Sequence, residues 1–120
     1  MYEKKIPKDF SCGMSITLEI IGGKWKPCLI DSIHKGVHRP SELARKHPDA
    51  SKRVLNLQLK ELEEHGVVEK IIYPVLPPKV EYFLTEMGES LLPIVNLMEN
   101  WGTEYMNEFS ERQLNKSVTV

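Results

Sequence analysis

Arg39-Pro40-Ser41-Glu42-Leu43-Ala44-Arg45-Lys46-His47-Pro48-Asp49-Ala50-Ser51-Lys52-Arg53-Val54-Leu55, continuing to His65, decides the architecture. Ser41, after Pro40, opens a short helical segment that runs to Lys46. His47-Pro48-Asp49-Ala50 breaks it, because a proline drives the residue before it out of the α region. Ser51 opens a second helix that runs to His65 and stops at Gly66. Leu55, Leu59 and Leu62 form its inner stripe at i, i+4 and i+7. The opposite face carries Lys52, Arg53, Asn56 and Lys60, and Glu61, Glu63 and Glu64 crowd the far end. Two short helices across a tight turn, the second capped by serine and cationic in its first turn, make a helix-turn-helix pattern.

Upstream, Ser11 to Ile21 reads as a first helix with Leu18 and Ile21 on one side, ended by Gly22-Gly23. Trp25, Leu29 and Ile33 recur every fourth residue and predict a second amphipathic helix from about Lys24 to Lys35. Pro27 is tolerated only in its first turn. Residues 1–11 read as an arm, and His38-Arg39-Pro40 as a short edge strand. Downstream, Val67 to Val75 and Val80 to Leu84 are rich in β-branched and aromatic residues and read as strands. Leu76-Pro77-Pro78-Lys79 joins them. A hairpin directly after a helix-turn-helix is a wing, with Lys79 near its tip placed to touch a phosphate or the minor groove.

Thr85 is expected to cap a long final helix. Leu91, Val95, Met98, Trp101, Tyr105 and Phe109 recur along it at helical spacing. So long a stripe exceeds what a small winged core can cover, and a second copy of the chain would cover it. The expected interface is Leu91, Val95, Met98, Trp101 and Tyr105. The tail from Arg112 to Val120 reads as polar and frayed.

The chain is thus expected to be mainly α with a small β-hairpin: a winged helix-turn-helix with a long C-terminal dimerisation helix. A single domain over residues 1–120 would hold a core at about 24–85, with dimerisation by 11–22 and 86–109. The net charge is −1, but its distribution is uneven. Residues 24–60 carry nine cations against three anions, a surplus of six, whereas residues 81–111 carry seven glutamates and no cation. Double-stranded DNA would be drawn to the first face and repelled by the second. Arg and Lys suit guanine edges or phosphates, and Asn suits adenine. Arg39, Ser51, Lys52, Arg53, Asn56, Lys60 and Lys79 are the candidate DNA contacts.

No run of about 18 apolar residues would span a membrane. No apolar stretch follows Lys4, Lys5 and Lys8 to make a signal peptide, and two cysteines form no disulfide framework. The cytoplasm is the expected location. No nucleophile-and-base motif, phosphate loop or paired acidic motif is present, so no enzyme is expected. No cofactor is expected either. Two alternatives stay open. A metal-responsive winged helix would draw on His34, His38, Cys28, His47 and His65, but Gly36 lies between the first two, and no metal site is assigned. A winged helix that binds only protein is opposed by the basic turn at Lys52-Arg53.

Several stretches together resemble the HxlR-type winged helix-turn-helix regulators, relatives of the MarR group. They are Ile21-Gly22-Gly23-Lys24-Trp25, Pro40-Ser41-Glu42-Leu43, Arg53-Val54-Leu55, Leu59-Lys60-Glu61-Leu62-Glu63 and Gly66-Val67-Val68-Glu69. Tyr73-Pro74, Pro77-Pro78-Lys79-Val80-Glu81-Tyr82, Leu84-Thr85, Gly88 and Trp101-Gly102 continue the match, which runs from about Cys12 to Gly102. The resemblance implies a dimeric bacterial transcription factor that reads an inverted-repeat operator, with its recognition helix in the major groove and the wing beside it. Those roles fall on Ser51, Lys52, Arg53, Asn56 and Lys60, and on Lys79 in the wing. Leu57 departs from the pattern, since relatives are usually polar there. Many members of the family have a cysteine before the first helix, and some use it to sense oxidants or electrophiles. Here that residue is Cys12, followed by Gly13 where the family often has proline. A helix N-terminus favours thiolate at Cys12, whereas Cys28, beside Leu29, reads as an inert core residue. The resemblance names no effector.

Overall fold

The computed structural model describes residues 11–118, so the arm and Lys8 lie outside the described residues apart from Ser11. Helices α1 (Gly13–Ile21), α2 (Lys26–His34), α3 (Pro40–Lys46) and α4 (Lys52–Glu64) come first. Strands β1 (Val68–Tyr73) and β2 (Lys79–Leu84) follow, then α5 (Glu86–Ser90) and α6 (Leu92–Val118). The strands form one antiparallel hairpin in register from Val68 opposite Leu84 to Tyr73 opposite Lys79.

α2 is the centre of the core. Leu29, Ile30 and Ile33 are fully or almost fully buried, and Lys26 and Ser32 are buried with them. Around α2 pack Leu43 of α3, Leu55, Leu59 and Leu62 of α4, Val67, Val68 and Tyr82 of the hairpin, Ile21 of α1 and Val95 of α6. Each such aliphatic side chain contributes roughly 1.5–3 kcal/mol on leaving water. The leucine stripe read from α4 is therefore the inner face of that helix. Ser51 caps α4 by accepting from the Val54 N–H at 3.1 Å, which satisfies one of the orphan donors of the first turn. Gly66 leaves α4 at φ +78°, a conformation that side chains with a Cβ rarely adopt.

Several features differ from the sequence reading. α2 begins at Lys26 and not at Lys24; Trp25 is its N-cap, half-buried beside the core. Leu18 does not share the buried side of α1 with Ile21, but is exposed, as is Met14. His38-Arg39-Pro40 is not a strand. Arg39 is the N-cap of α3, and His38 makes a single backbone bond, accepting from Tyr82 N–H at 2.8 Å. Pro40 starts α3 by locking a helical φ where no N–H is needed.

The fourth difference is the helix after the hairpin, which is broken. Thr85 does act as a cap, with its Oγ1 accepting from Gly88 N–H at 3.1 Å, but it caps α5. Pro93 has no N–H to donate to Glu89, and the helix is interrupted at Leu91 before α6 begins at Leu92. The fifth is the tail. α6 continues through Arg112 to Val118, supported by the Glu108–Arg112 pair at 3.1 Å, one helical turn apart. At about 1.5 Å per residue, its 27 residues extend roughly 40 Å, and every described residue from 96 to 116 is exposed.

Candidate nucleic-acid interface

α4 presents Ser51, Lys52, Arg53, Asn56 and Lys60 on its exposed face, opposite the core. Their side chains are the parts of α4 free to enter a groove. Leu57 stands among them at 56 % exposure, an apolar group suited to a thymine methyl. Glu61 turns to the back of the helix, where its Oε2 lies 3.2 Å from Lys26 Nζ, so that anion is kept off the exposed face.

The hairpin and α3 enclose a cleft of about 450 Å³ lined by Arg39, Pro40, Ser41, Pro77, Pro78, Lys79 and Val80. Two of the residues named from sequence, Arg39 and Lys79, therefore come together although they are 40 positions apart. Lys79 is the first residue of β2 rather than the tip of the wing. Its ammonium lies 3.8 Å from Glu81 Oε1 and 5.0 Å from the centre of the Tyr73 ring. The tip is apolar: Leu76 is 96 % exposed, with Val75 beside it. Arg39 is held loosely by Glu42 at 3.8 Å. Both ion pairs are weak enough for a phosphate to compete.

Of the residues named for an interface between copies, Val95 is 4 % exposed and belongs to the core of its own protomer, with Leu91 packed against it. Those two are corrections: the start of α6 packs on the core of its own protomer, so their apolar side chains are already covered there. Met98, Trp101 and Tyr105 remain on an exposed face. Ile94, Leu97, Met98 and Trp101 line an apolar groove there, and the Trp101 ring lies 4.9 Å from that of Tyr105 and 6.2 Å from that of Phe109. Ile94 and Leu97 are additions to the sequence reading; each stands four residues before Met98 or Trp101, a spacing that could have shown them.

Cys12 is the N-cap of α1 and is partly exposed. Its side chain makes no capping hydrogen bond. As a thiolate it would face the N–H groups of Ser15 and Met14 and the Ser15 hydroxyl, which hold its pKa below the ordinary thiol value. Cys28 is not a core residue; it is exposed on the outer side of α2. Partial desolvation, then the Glu99 and Asp31 carboxylates, push its pKa up. Of the remaining candidate ligands for a metal, His38 and His47 have other partners, and His65 Nδ1 is buried without a hydrogen bond. His38 Nδ1 lies 2.9 Å from Tyr82 O and its ring stacks on Phe83, while His47 Nε2 lies 3.0 Å from Ser32 Oγ. Among the described residues no three of His, Cys, Asp and Glu gather as a metal site, and no helix is long and apolar enough to cross a membrane.

The sequence pattern of the HxlR-like helix-turn-helix family matches residues 20–110. The HTH-type transcriptional regulator YdeP of Bacillus subtilis strain 168 is 39 % identical over 117 residues, spanning 92 % of this chain and 91 % of YdeP. YybR of the same strain, also an HTH-type transcriptional regulator, is 46 % identical over 104 residues, spanning 85 % of this chain and 83 % of its own. Among solved structures, the redox regulator HypR in its reduced form superposes with a TM-score of 0.77 at 42 % identity, covering 83 % of this chain and 99 % of HypR. Its oxidised form gives 0.73 at 46 % identity over 78 % of this chain and 96 % of HypR. A capped, core-backed α4 with a cationic outer face, a hairpin beside it and relatives of this kind along most of its length leave one assignment: the chain belongs to the HxlR-like helix-turn-helix family and is a DNA-binding transcriptional regulator, not an enzyme.

Proposed function

We propose that the protein works in the cytoplasm as a homodimer on an inverted-repeat operator, with α4 of each protomer in the major groove and the hairpin against the backbone alongside. The observation that carries this reading is the outer face of α4, where Arg53, Asn56, Lys52 and Lys60 stand exposed on a helix fixed from behind by three buried leucines. Arg53 and Asn56 have the chemistry to read bases, and Lys79 and Arg39 to hold phosphate. The exposed stripe of Met98, Trp101, Tyr105 and Phe109, with Met14 and Leu18 of α1, supports the dimer.

The test starts from a duplex selected by the wild-type protein out of a random-sequence library. Arg53→Ala or Asn56→Ala should weaken its binding by about 1–3 kcal/mol and relax preference at one base position. Lys79→Ala should weaken all duplexes nearly equally and flatten the salt dependence by about one unit. Should Arg53→Ala and Lys79→Ala alter sequence preference in the same way, the division into base reader and phosphate clamp is wrong.

Binding is further proposed to respond to oxidants or electrophiles through Cys12. Its place at the N-terminus of α1, the donors facing its sulfur and the likeness to a redox regulator support this. A lowered pKa means that thiolate, the reactive form, persists to lower pH at Cys12 than at Cys28. Alkylation by iodoacetamide, followed by mass spectrometry against pH, should therefore rise at a lower pH for Cys12. Diamide or a quinone should release the selected duplex from the wild type and not from Cys12→Ser. Equal release from both proteins, or none from either, removes Cys12 as the sensor.

A further inference from the structure

The outer face of α4 is useful only if it is aimed, and leucines alone define its rotation poorly, since apolar contacts are non-directional. Two polar links on the back of the helix are directional. Gln58 Oε1 accepts from the Trp25 backbone N–H at 2.9 Å. One helical turn on, Glu61 Oε2 accepts from Lys26 Nζ at 3.2 Å, and that lysine is 3 % exposed. Both partners lie where the turn between α1 and α2, residues 22–25, enters α2. Gln58 is two residues from Asn56 and from Lys60, which places it about 200° around the helix from each. The Gln58 bond is therefore opposite the reading face, and the Glu61 bond stands on the flank between the two, about 100° from Lys60.

The turn is also close-packed against this amide. A Cβ at Gly23 would stand 2.9 Å from Gln58 Oε1 and 3.0 Å from both Gln58 Cδ and Lys26 Cδ. Only a glycine lets the turn approach near enough for Trp25 N–H to reach Gln58. The Gly22-Gly23-Lys24-Trp25 stretch and Glu61, which base reading itself leaves unused, meet at this point.

We propose that Gln58, with Glu61, is a positioning residue for DNA recognition: through its bond to Trp25 the α1–α2 turn sets the rotation of α4 in the major groove. The proposal rests on α4 being the recognition helix. The same bond is the route by which a movement of α1, whose N-cap is Cys12, would reach the bases.

The test uses full-length protein and two probes: a duplex selected by the wild type from a random library, and a mixed-sequence duplex. Gln58→Met keeps the side-chain length but removes the acceptor. It should lower the ratio of selected to mixed-sequence affinity by about tenfold, because misaimed side chains lose base contacts. Mixed-sequence affinity and its salt dependence should stay within about twofold, because phosphate contacts tolerate small rotations. Gln58→Glu restores an acceptor oxygen and should recover most of the ratio. Gly23→Ala tests the same bond from the other side. Its Cβ meets mainly the far end of a flexible side chain, so the variant should fold while the Gln58 amide is displaced, with the same loss of ratio.

Parallel loss of both affinities would mean a merely structural role and overturn the proposal. So would an unchanged ratio in Gln58→Met and Gly23→Ala while Arg53→Ala lowers it. An unchanged ratio in Arg53→Ala as well would overturn the recognition-helix reading, and this proposal with it.

Discussion

Met98→Asp is expected to convert a dimer into a monomer and to reduce operator affinity by about a hundredfold or more, because one half-site then binds without the effective concentration supplied by its partner. The physical cause is a carboxylate placed in the middle of the exposed groove of Ile94, Leu97, Met98 and Trp101. Burying it without a partner costs several kcal/mol by order of magnitude, about what a modest interface contributes. Trp101→Ala should weaken the same association less, by loss of apolar contact from a side chain that is 58 % exposed in the protomer. Sedimentation at about micromolar concentration checks both variants. Val95→Ala separates association from folding. Val95 lies in the core of its own protomer, so this change should lower the melting temperature and leave association at equal folded concentration untouched. A wild-type protein that sediments as a clean monomer would sink the dimer, and with it the inverted repeat whose half-sites lie about one helical turn apart.

Gly88→Ala is expected to destabilise the fold by about 3 kcal/mol, at the upper end of overpacking effects. Gly88 is buried in α5, and a Cβ there would stand 2.2 Å from the carbonyl oxygen of Val67 and 3.3 Å from Leu84. The obstacle is backbone, which cannot swing aside like the end of a side chain. That same carbonyl accepts from Thr85 N–H at 3.0 Å, and the Thr85 hydroxyl lies between it and the Gly66 carbonyl, its nearer acceptor, so a shift would loosen the cap of α5 too. Gly102→Ala is the contrasting control: its Cβ meets nothing within 4 Å, and alanine in a helix interior is better than glycine by about 0.5–1 kcal/mol. Urea unfolding of the two variants beside the wild type measures the difference. Gly88→Ala with wild-type stability would mean that α5 does not pack against the Val67 carbonyl.

The parts legible in the sequence were those set by local chemistry. The leucine stripe of α4 follows from spacing, its serine cap from the hydroxyl before Lys52, and the hairpin from β-branched runs around two prolines. The candidate contacts on α4 followed because a helix with one apolar stripe has only one other face to offer. Less legible was anything that depends on which neighbour a face meets. Cys28 looked like core because Leu29 beside it is core, yet adjacent helical positions point about 100° apart, and its side of α2 opens to solvent near Glu99. Leu18 differs for another reason: its spacing does place it on the side of α1 that carries Ile21, but only the end of that side at Ile21 meets the core.

By itself the sequence determined the order of the first four helices and the hairpin, though not the absence of a strand at His38-Arg39-Pro40, together with the inner face of α4, its cationic outer face and the membership in a regulator family, because each rests on periodicity, capping or an ordered set of motifs within the chain. The tertiary structure decided the rest. It joined Arg39 to Lys79 across one cleft, moved Val95 from a surface to the core, and set Gln58 and Glu61 against Trp25 and Lys26 behind the recognition helix. Those pairs are 33 to 40 residues apart in the chain. Local periodicity says that a side chain faces inward or outward; which distant group it meets is fixed only when the helices pack and the polar groups buried between them must find partners.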